Sequence, residues 1–127
     1  MIAPAVCGLL LLQVAGSAYV IARDSYHKSY LPAVSFLNRS AAREASITGT
    51  AELEFGVENY NTLLDDKYLG YYSGRKPDFI VVDTRYQQEH DAVESKQPEI
   101  HEHITRVLTG EYEKVYDHAA YRIYARR

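Results

Sequence analysis

Pro77-Asp78-Phe79-Ile80-Val81-Val82-Asp83-Thr84 is the stretch that decides how this chain folds. Its apolar run is unbroken and rich in β-branched residues, the pattern of a strand buried on both faces; a half-exposed strand would alternate. Pro77-Asp78 introduces the run as a turn, and Asp83-Thr84 ends it. The run is therefore the expected central strand of a sheet.

Upstream, two shorter units of the same kind are expected. Ala45 to Thr48 alternates weakly and ends at Gly49-Thr50, after which Ala51 to Phe55 reads as a short helix capped by Thr50 and stopped by Gly56. Thr62 to Asp65 reads as a short strand, with Asp66 as the N-cap of a helical turn or two over Lys67 to Tyr72 and Ser73-Gly74 as the exit. Further back, Leu31, Val34, Leu37 and Ala41 share one stripe of a helix that begins near Pro32 and runs to about Arg43. Phe36 lies off that stripe and reads as a single exposed aromatic.

Downstream, Arg85 to Gln97 is polar and charged, with Tyr86 and Val93 its only large apolar residues, and reads as a loop or weak helix. Pro98 opens a better helix, with Ile100, Ile104, Val107 and Leu108 on one stripe and Gly110 past its end. Two alternating runs, Tyr112 to Asp117 and Tyr121 to Arg126, flank His118-Ala119-Ala120 and read as a β-hairpin with Tyr121, Ile123 and Ala125 on one face. This order predicts an α/β fold: a small three-layer Rossmann-like domain, its sheet mostly parallel with a C-terminal antiparallel hairpin at the edge.

Ahead of this domain, residues 1–22 carry no charged side chain, and Arg23 and Asp24 are the first charges. The run has the length of a helix that crosses a bilayer core. The expected organisation is a transmembrane helix over 1–22, a linker over 23–29 and an α/β soluble domain over 30–127. A cleaved signal peptide ending near Gly16, Ser17 and Ala18 is one alternative, although it would begin with a basic stretch. A buried globular helix is another, although Leu9 to Leu12 covers every face of a helix. A chain that opens abruptly in apolar helix suits the tail of a longer membrane protein.

Composition narrows the partners. The net charge of −3, with signs interspersed, argues against nucleic acid, which demands a basic excess on one face. The single cysteine, Cys7, lies in the apolar run, so neither a disulfide framework nor a cysteine metal site is expected. Twelve tyrosines and no tryptophan supply large apolar bodies with polar tips, suited to half-buried positions.

If the three short strands run parallel, Gly49-Thr50, Asp65-Asp66 and Asp83-Thr84 share the carboxyl edge of the sheet, where α/β sheets bind ligands. Thr50, Asp65, Asp66, Asp83 and Thr84 are accordingly the candidate ligand-binding residues. Carboxylates there suit sugar hydroxyls, a divalent cation or general-base work. The alternative is that Thr50, Asp66 and Asp83 cap helices and turns, as these residue types do anywhere. No Gly-x-Gly-x-x-Gly follows a strand, and no cofactor is expected. His101 and His103 in Glu99-Ile100-His101-Glu102-His103 fall on opposite sides of a helix and cannot share an ion; no metal site and no catalytic residue is assigned. Asp78 beside Pro77 reads as turn chemistry. Arg75-Lys76 and Arg126-Arg127 are small basic spots, suited either to anionic head groups or to plain solvation.

The series Ser46 to Gly56, Leu64-Asp65-Asp66, Leu69 to Tyr72, Lys76 to Asp83 and the ending Tyr121 to Arg126 resembles the carboxy-terminal soluble domain of polytopic bacterial glycosyltransferases of the GT-C type, with residues 1–22 resembling the last transmembrane helix. Those enzymes use polyprenyl-phosphate-linked sugars and carry their catalytic acid in the first extracytoplasmic loop, which these residues do not contain. The resemblance therefore implies a non-catalytic extracytoplasmic domain that stabilises the membrane part or shapes the acceptor side. Its partners would be the lipid bilayer, the membrane portion of the parent enzyme, and a glycan or lipid-linked sugar. Arg23 and Lys28 point the other way, toward the cytoplasm, by the positive-inside rule. Two other readings stay open: a single-pass anchored domain that binds a ligand or a protein, and a small enzyme using the Asp66 and Asp83 edge.

Overall fold

The computed structural model describes residues 13, 17, 24–58 and 60–127. The expected transmembrane helix over 1–22 lies outside them except at Gln13 and Ser17. Among the described residues no helix is long and apolar enough to cross a membrane, and the membrane-spanning part of the expected fold is corrected accordingly.

Five strands form one sheet: β1 (Ile47–Thr48), β2 (Leu63–Leu64), β3 (Phe79–Val82), β4 (Tyr112–His118) and β5 (Tyr121–Arg126), in the order β2-β1-β3-β5-β4. The parallel half, β2-β1-β3, is only two residues deep at each contact. On the other side of β3 the pairing is antiparallel over four positions with β5, and β5 pairs with β4 over six. The sheet is thus mixed and mostly antiparallel, which corrects the expected mostly parallel, Rossmann-like sheet. The physical reason is length: the hairpin strands bond along their whole extent, whereas the chain leaves β1 and β2 after two residues to form turns.

Helix α1 (Leu31–Ser40) covers one face and helices α2 (Thr84–Lys96) and α3 (Pro98–Arg106) the other. Alternation along β3 decides which side chain goes where. Val81 packs with Ile47 and Ile123 against Ala33, Val34 and Leu37 of α1, joined by Leu53 and Val57. Ile80 and Val82 pack against Tyr86 and Val93 of α2, Ile100 and Ile104 of α3, and Tyr112. All three β3 residues are 1 % exposed, so the continuous apolar run is buried on both sides.

Several local elements differ from the sequence reading. Residues 24–29 of the expected linker are helical: Tyr26–Tyr30 forms a wide turn whose last bond runs from the Leu31 N–H to the Tyr26 carbonyl and leads straight into α1. Arg85 to Gln97, expected as a loop or weak helix, lies almost wholly within the thirteen-residue α2, because Tyr86, His90 and Val93 make a buried stripe in which a histidine takes an apolar place. Residues 67–73 form turns closed around Asp66 instead of a capped helix. Phe36, expected to be exposed, is partly buried against Tyr116, ring centroids 5.0 Å apart. A bulge between Lys114 and Tyr116 makes that contact possible: it shifts the alternation of β4, so Tyr112 faces α2 and α3 while Tyr116 turns to the α1 side.

Asp78 ties the opposite end of β3 to both neighbours. Its Oδ2 accepts from the Ser46 N–H (2.9 Å) and hydroxyl (3.2 Å), and its own N–H donates to Ser46 Oγ (3.0 Å). Its Oδ1 meets Arg126 at the end of β5 (3.3 Å). Asp78→Ala is expected to cost about 1–3 kcal/mol by leaving the Ser46 donors unpaired, whereas Arg126→Gln, which removes a half-exposed ion pair, costs less than about 1 kcal/mol; urea titration of both variants checks the contrast. The Tyr116 hydroxyl is buried with no hydrogen-bond partner among the described residues. Tyr116→Phe therefore leaves stability unchanged or raises it by up to about 1 kcal/mol, measured the same way.

Candidate functional site

Because β1, β2 and β3 run parallel, their carboxyl ends do lie along one edge, and Thr50, Asp65, Asp66, Asp83 and Thr84 are all found there. The side chains form two separate groups. Thr50 and Asp83 make one: the Thr50 hydroxyl donates to Asp83 Oδ2 at 2.9 Å, and Asp83 Oδ1 accepts from the Tyr86 N–H at 2.9 Å. Both residues are buried. Asp83 is thus the N-cap of α2, and Thr50, expected to cap the short turn Ala51–Phe55, makes no cap bond there and holds Asp83 instead.

Tyr86 organises the other group. Its hydroxyl donates to Asp65 Oδ1 at 2.7 Å and accepts from the Asp66 N–H at 2.9 Å. Burial, reinforced by Asp65, holds the phenol far above its ordinary range, so it stays protonated and remains a donor. Asp66 Oδ2 accepts from the Gly70 N–H (3.1 Å) and the Ser73 hydroxyl (2.7 Å), closing the loop after β2. That loop requires Gly70: its φ is +86°, and a Cβ there would stand 2.6 Å from the Arg75 carbonyl oxygen.

Thr84, the first residue of α2, is exposed and lines two shallow polar clefts together with Asp83. One, of about 330 Å³, runs past Glu52, Arg85 and Ser29; the other, of about 340 Å³, runs past Gln87, Asp117 and Arg122 under the hairpin turn. The turn is fixed from below by the Ala120 N–H, which donates to Ser29 Oγ at 3.2 Å. Arg122 donates to Gln87 across the second cleft.

A larger cleft, of about 490 Å³, adjoins the first and was not foreseen. Tyr26, Tyr30, Phe55 and Tyr121 line it, with Glu52 and Ser25 as polar groups. Tyr26 and Tyr30 stack at 5.4 Å, the Tyr30 hydroxyl donates to the Glu52 carbonyl (2.7 Å), and Phe55 is 90 % exposed. The four-residue spacing of Tyr26 and Tyr30 is a usable signal, but it begins in the segment expected as a linker.

Two of the histidines, His90 and His103, are structural. His90 is buried, and its Nε2–H donates to the Lys67 carbonyl at 2.7 Å. His103 Nε2–H donates to the Leu69 carbonyl at 2.9 Å. Among the described residues no group of three His, Cys, Asp or Glu side chains is placed to hold a metal ion. No protein-family model, no curated protein and no solved structure matches this chain.

Burial lowers the pKa of His90 below its ordinary 6.5; the Lys67 carbonyl and Asp91 favour the proton, while Arg122 and His101 oppose it. Between the lowered folded value and about 6.5 the unfolded chain binds a proton that the folded chain does not, so stability rises with pH across that window. The contribution of the neutral ring is complete above about 6.5 and is lost progressively as pH falls below it. His90→Gln is expected to shrink the stability difference between about pH 5.5 and about pH 7.5, measured by urea titration at both.

Proposed function

We propose that this domain is a non-catalytic accessory unit of a larger glycosyltransferase of the kind it resembles, working on the acceptor side outside the cytoplasm. The observation that carries the reading is the commitment of the strand-edge carboxylates. Both Asp83 oxygens are occupied by fold-defining donors, Asp65 accepts from the buried Tyr86 hydroxyl, and Asp66 closes its own loop. A general base for sugar transfer must reach the acceptor proton with a free oxygen in a water-excluded site, and these clefts are shallow and open.

The aromatic cleft supports the acceptor-side role. Ring faces of Tyr26, Tyr30, Tyr121 and Phe55 beside the Glu52 carboxylate match the mixed apolar and hydroxylated surface of a sugar ring. The exposure of Phe55 also favours a second reading, in which the domain is a freestanding ligand- or protein-binding module.

The full chain incubated with a polyprenyl-phosphate-linked sugar and a glycan acceptor is expected to give no transfer above the protein-free background. Titration with free oligosaccharides, followed by tyrosine emission in this tryptophan-free chain, is expected to saturate. Phe55→Ala should weaken that binding several-fold, on the order of 1 kcal/mol for a stacked aromatic. Turnover that disappears in a folded Asp83→Asn variant would sink the proposal, and absence of saccharide binding would leave the second reading in its place.

A further inference from the structure

Five cations of this chain, Arg75, Lys76, Arg106, Arg126 and Arg127, lie toward the end of β3 opposite to the acidic edge. Arg75 and Lys76 precede Pro77, Arg126 donates to the Lys76 carbonyl (3.0 Å), and Arg127 donates to the Tyr112 carbonyl (3.1 Å). Between the Gly70 to Lys76 loop and α3 lies a cleft of about 240 Å³ lined by Gly70, Gly74, Arg75, Lys76, His103 and Arg106. Leu69, Val107 and Tyr112 form its apolar floor, and Glu111 is its one acid.

Three features make this more than a solvated basic surface. First, among the described residues neither Arg75 nor Arg106 is paired with a carboxylate, while Glu111 is engaged with Lys76 at 3.4 Å. Second, Arg106 is held in place: it donates to His103 Nδ1 at 3.2 Å, and His103 is anchored through Nε2–H to the Leu69 carbonyl. Third, the loop carrying Arg75 is fastened by Asp66 at Gly70 and by the bond from the Gly74 N–H to the Gly70 carbonyl (2.8 Å), so the guanidinium is presented from a fixed backbone.

We infer that this cleft is a phosphate-binding site, in which Arg75 and Arg106 grip the phosphate oxygens and Lys76, drawn from Glu111, closes over them. Two forked guanidinium groups on converging elements suit a tetrahedral oxyanion better than a carboxylate-free surface lysine does. The inference is independent of the glycosyltransferase reading, since it rests on the end of the domain remote from the aromatic cleft.

The test is a titration of the full chain with inorganic phosphate at constant ionic strength, followed by amide chemical shifts. Saturating shifts are expected at Gly70, Gly74 and Arg106. Arg75→Gln combined with Arg106→Gln should weaken the apparent affinity about ten-fold or more, because each removes a hydrogen bond to a charged group. Arg85→Gln, at the opposite end, should change nothing, and Glu111→Gln, which removes the competing acid, should tighten binding. Co-sedimentation with phosphatidic acid vesicles and with phosphatidylcholine vesicles separates the sources. A preference for phosphatidic acid that is lost in the double variant assigns the phosphate to a lipid head group; saturation by inorganic phosphate without that preference assigns it to a soluble phosphate compound. Shifts that rise linearly without saturating, or that persist unchanged in a double variant with a native spectrum, overturn the site.

Discussion

Covering both faces of β3 is the constraint on which the rest of this domain depends. Ile80 and Val82 demand apolar cover on one side and Val81 on the other, and each is sealed to 1 % exposure. At roughly 25 cal/mol per Å² of apolar surface removed from water, a strand sealed on both sides gains about twice what a one-sided strand gains. That gain requires a helical layer on each face, and the backbone groups of β3 must be paired at both edges. β1 pairs with one edge and β5 with the other. The two aspartates that bracket the strand complete the arrangement. Asp78 fixes its start to β1 through Ser46 and to β5 through Arg126, and Asp83 fixes its end to Thr50 and to the first turn of α2.

This dual use of aspartates explains both what was legible in the sequence and what was not. The apolar run Phe79 to Val82 announces itself by composition, and so does the alternating hairpin, because in both the side-chain period is carried by hydrophobic residues. The balance between parallel and antiparallel pairing is a different matter. It depends on how many residues of β1 and β2 stay in the ladder, and turn chemistry at Gly49-Thr50 and Asp65-Asp66 ends each strand after two. Helix α2 was obscured because its buried stripe contains His90, which is hidden only by virtue of a bond to the Lys67 carbonyl from a loop remote in sequence. Phe36 was obscured by the bulge at Val115, which has no local signature and alone brings Tyr116 within reach. At the site, the gathering of Thr50, Asp65, Asp66, Asp83 and Thr84 along one edge followed from strand order, but the partner that joins Asp65 to Asp66, the Tyr86 hydroxyl, comes from another layer.

Charge is sorted along the strand direction. Acidic groups collect where β1, β2 and β3 end and are consumed there by backbone and hydroxyl donors, because the first turn of α2 and the tight turns after β1 and β2 leave amide groups that need acceptors. Five basic residues, Arg75, Lys76, Arg106, Arg126 and Arg127, stand toward the end where β3 begins and β5 ends. There Asp78 and Glu111 each satisfy one cation, while Arg75 and Arg106 retain unspent donors. In a chain of net charge −3, the end with reserve donors for an anion is therefore the cationic one.

The abundance of tyrosine fits the same economy of polar groups. In a domain whose layers are joined by long turns, the core needs bulk and the turns need partners, and one side chain serves both when its ring is buried and its hydroxyl emerges at a turn. Tyr86 fills the α2 face and meets Asp65 and Asp66; Tyr112 lies on the floor of the same face and donates to the Pro77 carbonyl at 2.6 Å; Tyr30 packs against the α1 cluster and donates to the Glu52 carbonyl. Phenylalanine would supply the bulk and strand those turn acceptors. These three tyrosines thus couple the order of the turns to the order of the core. Any ligand that moves the loop from Asp66 to Lys76 must then work against Tyr86, Tyr112 and the packing beneath them, which is why that loop can present Arg75 from a fixed position.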